Sequence, residues 1–254
     1  GDSMLTPALR ESEFALYDIL EDRLEESYMM VTALNKNINE NRAKITKYLG
    51  VENRKAALKD ADFVINAIQV GFYEPCTVLD FEIPKKYGLR QTIGDTLGIG
   101  GIMRGLRTIH VLQDFAKDME EVCPNAWFLN YTNPMAILTG FMTRYTKIKT
   151  VGLCHSVQVC SSTLLEELGM QDKLEGRKEL IAGINHMAWL LKIQDKEGND
   201  LYPEIKKRAL EKLKNTENFY DCVRLDYIRR LGYYCTESSE HNAEYNMFYI
   251  KSKY

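Results

Sequence analysis

The sequence predicts an α/β fold: a Rossmann-like, doubly wound parallel sheet followed by a mixed α+β region. Three observations carry this. Apolar strand-like runs alternate with amphipathic helical stretches through the first two thirds of the chain, the order that a parallel sheet with helical crossovers requires. Polar residues with chemical capacity follow directly on four of those runs, at Asp18, at Gln69 to Gly71, at Asn130 to Asn133 and at Cys154 with His155. The carboxyl ends of parallel strands are where such folds gather a site. After residue 178 the texture changes to shorter runs and a polar turn, which suggests antiparallel pairing. The expected division is therefore 1–178 and 179–254.

Taken in order, residues 14–17 read as a short strand ending at Asp18. Leu24, Tyr28, Val31, Leu34, Ile38, Ile45 and Tyr48 keep helical spacing and predict one long helix broken at Gly50. Residues 63–68 are nearly all apolar, as in a strand covered on both faces, and lead into Gln69, Val70 and Gly71. Ile102, Leu106, Ile109, Leu112, Phe115, Met119 and Val122 advance in steps of three and four, giving the clearest amphipathic helix, with Pro124 beyond its end. Residues 126–129 and 150–153 read as strands, Pro134 sits at a helix start, and Leu164, Leu165 and Leu168 mark the next helix. Strands are expected at 180–184 and 188–193, a polar turn at 196–199, and helices near 203–214 and 221–231. The hydrophilic stretch CTESSEHNAEY that follows holds residues that cap helices or line a site.

Composition narrows the function classes. The 254 residues, 45% of them hydrophobic, suffice for a substantial core. With 33 Lys plus Arg against 36 Asp plus Glu, the net charge is −3 and no basic block tracks a phosphate backbone, so no nucleic-acid partner is expected. No membrane association is expected either: no run approaches the ~18 consecutive apolar residues of a span, and the first residues do not form a secretory h-region. Cysteines stand at 76, 123, 154, 160, 222 and 235 without a CxxC pair, which argues against a disulfide scaffold, a zinc ribbon or a redox dithiol. A reducing, cytoplasmic setting fits.

Several residues carry chemical options. Asp18, at a strand end, suits the ribose hydroxyls of an adenine nucleotide or an ordinary helix cap. The glycine-dense DTLGIGGIMRGLR segment, 95–107, matches neither GxGxxG nor GxxxxGK[ST] and suits either a ligand loop or close packing at a helix start. Histidines occur at 110, 155, 186 and 241. Cys154 follows a strand and His186 lies in AGINHMAW; a thiolate and an imidazole brought together make a partial divalent-metal site, with zinc, cobalt, nickel and iron all open by softness. The competing reading is a small buried cysteine and a hydrogen-bonded core histidine. A Cys-His nucleophile pair lacks an evident oxyanion hole or orienting third residue. His241, Glu240, Glu244 and Tyr245 form a titratable cluster that a polar helix could equally carry on its surface; Tyr245 is either a surface tyrosine or a base whose pKa neighbouring positive charge or metal-bound substrate lowers. Asn133, before Pro134, suits a helix cap or a substrate hydroxyl.

The segments GFYEPCTVLDFEI, DTLGIGGIMRGLRTI, VCPNAWFLNYTNPMAI, VGLCHSVQ, AGINHMAWL and GYYCTESSEHNAEY together resemble the NAD-dependent glycoside hydrolase family 4, most closely its bacterial alpha-galactosidases, a family outside the usual two-carboxylate scheme. The resemblance implies that N- and C-terminal parts are missing, including a first strand and glycine-rich loop. It makes 1–178 the dinucleotide-binding domain and 179–254 the beginning of a substrate, metal and oligomerisation domain. It implies NAD, met by Asp18, Gln69, Gly71 and Asn130, and Mn2+, held by Cys154 and His186. Asn133, Asn185 and His155 then meet the sugar, Tyr245 is the candidate base, and Asp95 and His155 assist the leaving group or bind hydroxyls. His155 stands where phosphosugar-specific relatives commonly place an acidic residue, and CHSVQ instead resembles members acting on unphosphorylated galactosides. The implied cycle is oxidation at C3, elimination at C1, water addition and re-reduction, in a homodimer or homotetramer. An alpha-glucosidase, an alpha-hexuronidase, a sugar dehydrogenase and a nonenzymatic sugar-binding module stay open.

Overall fold

The computed structural model describes residues 1–89, 91–93, 96–216 and 219–249. Its elements, in order, are α1 (Asp2–Leu5), β1 (Glu13–Asp18), α2 (Glu21–Asn39), β2 (Lys44–Leu49), α3 (Arg54–Leu58), β3 (Phe63–Asn66), α4 (Val78–Lys86), α5 (Gly98–Val122), β4 (Trp127–Asn130), α6 (Met135–Tyr145), β5 (Lys149–Gly152), α7 (His155–Glu167), β6 (Lys178–Ile184), β7 (Met187–Gln194), α8 (Tyr202–Asn215), α9 (Cys222–Leu231), β8 (Tyr234–Cys235) and α10 (Ser239–Glu244). They pack as two compact units, Gly1–Asn66 with Thr108–Leu129 and Thr139–Val151, and Ala67–Arg107 with Asn130–Leu138 and Gly152–Tyr254. Among the described residues, no helix is long and apolar enough to cross a membrane.

In the first unit β1 and β2 pair in parallel, from Glu13 opposite Lys44 to Asp18 opposite Leu49. A second sheet has the order β3-β4-β5, its strands joined through helices instead of tight turns. Leu58, Leu112, Phe115, Met119, Phe128 and Met142 are buried there. The Tyr17 and Phe115 rings meet edge-on at 5.7 Å, and Arg54 donates to Asp118 at 2.6 Å.

The single helix expected from Leu24 to Tyr48 is corrected: α2 stops at Asn39 and residues Lys44–Leu49 form a strand. Glu40 (φ 55°) and Asn41 (φ 58°) are both left-handed, a backbone that no α-helix continues through. Buried Asn35 holds the turn by donating to the Ala43 carbonyl at 2.8 Å and accepting from the Ala43 N–H at 3.2 Å and from Asn39 Nδ2 at 2.9 Å. Ile45, Thr46 and Tyr48 then take the extended pairing that β-branched and aromatic side chains favour. A second correction concerns β3. Asn66 is buried, but Phe63 and Ile65 are 61% and 68% exposed, so alternation leaves one face of this strand uncovered.

In the second unit β6, β7 and β8 form an antiparallel sheet. Leu190 and Ile193 of β7 share a core with Leu164 and Leu165 of α7, Ile205 of α8, Leu225 and Ile228 of α9, and Tyr234 of β8. Within the glycine-dense segment, Gly101 serves close packing: a Cβ there would lie 2.4 Å from the Thr96 backbone carbonyl. The other expected helices and strands lie close to their expected ranges, while α1, α3, α4, β8 and α10 are added by the structure.

Asn35→Ala leaves the buried Ala43 backbone groups without their partner. We expect a loss of about 1–3 kcal/mol in urea unfolding of the full-length protein at unchanged m value; unchanged stability would mean that the turn is held by other contacts.

Candidate metal centre and active site

Three side chains from separate segments of the second unit converge. Cys154 follows β5 and occupies the N-cap position of α7. His186 is the second residue of the two-residue link between β6 and β7, where Ile184 pairs with Met187. Glu237 lies between β8 and α10. One sulfur, one nitrogen and one carboxylate oxygen from these residues lie within 4.8 Å of one another. His186 Nε2 is 3.3 Å from Glu237 Oε2, and the Cys154 sulfur is 3.9 Å from the same oxygen.

Two of the three donors sit on left-handed backbone, His186 at φ 60° and Glu237 at φ 69°. Such a conformation costs a non-glycine residue on the order of 1 kcal/mol and persists where surrounding structure over-determines it. Thr236 supplies part of that constraint: its N–H donates to the Ala188 carbonyl at 2.8 Å, and its hydroxyl accepts from the Ala188 N–H at 3.1 Å.

The electrostatics suit a cation. Burial by itself pushes the Cys154 thiol up, but hydrogen bonds from His186 and from Ser156, whose hydroxyl is 3.3 Å from the sulfur, outweigh it and hold the thiol below the usual cysteine range. The start of α7 favours a thiolate as well. Burial holds His241 below the usual imidazole range against the opposing pull of Glu237. The His241 ring meets that of His186 edge-on at 5.0 Å. Burial first, and then the Glu237 and Glu244 carboxylates, push the Tyr245 phenol up. Tyr245 thus lies in the field of the cluster, and without a cation it holds its proton.

The structure brings Cys154 and His186 together and sets Tyr245 in the field of their cluster. His155 opens α7, exposed, with its ring 5.8 Å from that of Tyr131. The Asn133 side chain accepts from the Met135 N–H at 3.4 Å and so serves the start of α6. Asn185 Nδ2 is buried with no hydrogen-bond partner among the described residues. Fully buried Asn130 accepts from the Thr132 N–H at 3.2 Å, and Gln69 donates to the Thr77 hydroxyl at 2.9 Å. At Gly71 (φ 84°) a Cβ would lie 2.5 Å from the Cys76 sulfur. In the first unit, Asp18 accepts from the Leu20 N–H at 3.0 Å and from Arg23 at 3.3 Å. Asp95 lies outside the described residues.

Sequence reasoning missed Glu237. Its signal was an acidic residue one position beyond Thr236, which itself follows the apolar YYC run, an extension of the strand-end logic that picked out Asp18. It also missed the clamp on the Gln69 to Gly71 turn, where Arg107 ion-pairs with buried Asp80 and donates to the Val70 carbonyl at 3.2 Å. Glu244 accepts from the Thr92 and Ile93 N–H groups and, with Gln91, Gly98, Tyr245 and Asn246, lines a cavity of about 420 Å³.

The family model for family 4 glycosyl hydrolases matches residues 1–170, and that for the family 4 C-terminal domain matches residues 181–254. The chain belongs to the family 4 glycosyl hydrolases. It is 61% identical to an alpha-galactosidase of Bacillus subtilis (strain 168), across all of this chain and 57% of that relative. It is 38% identical to an alpha-galactosidase of Rhizobium meliloti (strain 1021), across 98% of this chain and 49% of the relative. The chain thus spans about half the length of the relatives it matches. The solved 6-phospho-beta glucosidase of Thermotoga maritima, crystallised with manganese, NAD+ and glucose-6-phosphate, superposes with a TM-score of 0.73 at 24% identity, across 96% of this chain and 54% of that one. At that identity the match shows a shared Rossmann-like fold.

For this family 4 chain, the lowered Cys154 thiol has a direct readout. In metal-free protein, iodoacetamide should alkylate Cys154 ahead of Cys160 and Cys235, whose burial pushes their thiols up, to about 12 for Cys160. The midpoint of the Cys154 rate-against-pH curve should fall below that of a free cysteine, and Ser156→Ala should move it upward. Peptide mass spectrometry that finds Cys154 no faster than Cys160 would count against a thiolate there.

Proposed function

We propose that the full-length protein hydrolyses melibiose-like alpha-galactosides, with NAD and Mn2+ as cofactors. One observation carries the reading: Cys154, His186 and Glu237 aim their donor atoms into a space less than 4.8 Å across, in a family 4 chain 61% identical to an alpha-galactosidase. A thiolate, an imidazole and a carboxylate together suit a borderline divalent ion, and the lowered Cys154 thiol eases the deprotonation such a ligand needs.

When bound, the dinucleotide supplies a reversible hydride acceptor for sugar C3 and the ion supplies Lewis acidity at the neighbouring oxygens, which lets a glycosidase dispense with a nucleophilic carboxylate. Cys154, His186 and Glu237 hold the ion. Tyr245 takes the proton from sugar C2; the anionic neighbours that raise its phenol in the metal-free site are the groups whose effect a cation reverses. Asn133, Asn185 and His155 orient hydroxyls, the buried and unpartnered Asn185 amide being the donor most in need of one. Asp95 and His155 assist departure of the aglycone. Asp18, Gln69, Gly71 and Asn130 are the proposed dinucleotide contacts, with 1–178 the dinucleotide domain and 179–254 the start of the substrate domain. All six cysteines are unpaired, which supports a cytoplasmic setting, and assembly as a homodimer or homotetramer completes the proposal.

Full-length protein with NAD, Mn2+ and reductant should release nitrophenol from nitrophenyl alpha-galactoside faster than from the alpha-glucuronide, without stoichiometric NADH. Faster glucuronide cleavage would reassign the substrate, and NADH accumulation without aglycone release would make the protein a sugar dehydrogenase. Cys154→Ser should weaken Mn2+ binding by ~10-fold or more, with cleavage falling in parallel; unchanged affinity would remove the thiolate from the site.

Tyr245→Phe should keep the fold and slow exchange of the C2 proton with solvent deuterium by ~10²–10⁴-fold, the usual contribution of a positioned base. Undiminished exchange would move the base to another residue.

A further inference from the structure

Beside the metal cluster lies a second, fully buried polar group that touches none of its ligands. Asp221, the residue before α9, is 0% exposed. One carboxylate oxygen accepts from Arg224 Nε and, at 3.2 Å, from the Ser239 hydroxyl; the other accepts from the Tyr234 hydroxyl at 2.6 Å. Ser239 is tied in further by accepting from the Val223 and Arg224 N–H groups, each at 3.2 Å. The Arg224 guanidinium stacks over the Tyr234 ring, 4.5 Å from its centroid.

Tyr234 and Ser239 bracket the short segment that contains Glu237, so a single carboxylate ties both ends of the connection from β8 to α10. Inside it, Glu237 adopts φ 69°, a conformation that a free loop of this sequence would relax out of. The Asn242 amide donates to the Thr236 and Ser238 carbonyls at 3.0 Å each, closing the segment from the α10 side. Burying a carboxylate without water is costly unless its acceptor positions are filled. Here a guanidinium from α9 and two hydroxyls fill them, and the two hydroxyls come from the two ends of the loop.

We propose that Asp221 is a positioning residue for the metal centre, holding Glu237 in its left-handed conformation so that its carboxylate meets His186 and Cys154. This rests on the metal reading above. The test measures Mn2+ affinity of the full-length protein by calorimetry, alongside Tm. Asp221→Asn should weaken Mn2+ binding by ~10-fold, the low end of what disturbed support of a metal ligand costs, and Ser239→Ala, which removes one bond and no charge, should act in the same direction by a smaller factor. In a Glu237→Gln background neither substitution should weaken binding further, because the group they position no longer ligates as a carboxylate. If Asp221→Asn does not fold, Ser239→Ala and Tyr234→Phe carry the same comparison. A lowered Tm with wild-type Mn2+ affinity, or a loss that adds in full to that of Glu237→Gln, would overturn the proposal and leave the metal reading intact. Absence of Mn2+ binding by the wild-type protein would overturn both.

Discussion

The site depends on one electrostatic constraint: a thiol, an imidazole and a carboxylate held within 4.8 Å of one another with His186 buried. Bringing two potential anions this close while shedding water is unfavourable unless hydrogen bonds or a cation compensate. Part of the compensation is built in, through the Ser156 hydroxyl and the start of α7 at Cys154 and through His186 at Glu237. The remainder is what makes the arrangement a receptor for positive charge. Within one cluster the Cys154 thiol is lowered and the Tyr245 phenol raised, because hydrogen-bond donors outweigh burial at the first and burial and anions act together at the second.

Secondary structure supplies each donor in a different way. A strand end delivers Cys154 to a helix start, a two-residue link delivers His186, and an irregular bridge between a two-residue strand and a short helix delivers Glu237. Only the first is a regular use of parallel-sheet topology. The other two impose left-handed φ on residues that do not favour it, offset by the packing of β7 and β8 against α7, α8 and α9. The second unit is thus scaffold and site at once: buried Leu190 stands four residues from His186, and Tyr234 three from Glu237.

Regular elements were legible where one period dominated. Helix α5, with its steps of three and four, and the β6–β7 pair, bounded by a polar turn, needed no tertiary information to place. Strand β2 was misread because Ile45 and Tyr48 also satisfy a helical spacing. What breaks the helix before them is a pair of left-handed residues held by the buried Asn35 amide, a partner that spacing does not reveal. Of the glycines after residue 95, Gly101 owes its place to packing, through its contact with the Thr96 backbone, which spacing does not reveal.

Sequence by itself determined the alternation of strands and helices and marked Cys154 and His186 as metal-capable residues, since these follow from local periodicity and from the chemistry each side chain carries; the family was carried by the resemblance of whole segments in fixed order. Tertiary structure decided that Glu237 completes their cluster and that Asp221 ties the loop beneath it. Residues 154, 186 and 237 are far apart along the chain, and whether their donor atoms come within a few ångströms is set by strand register, backbone hand and core packing, none of which a linear pattern encodes.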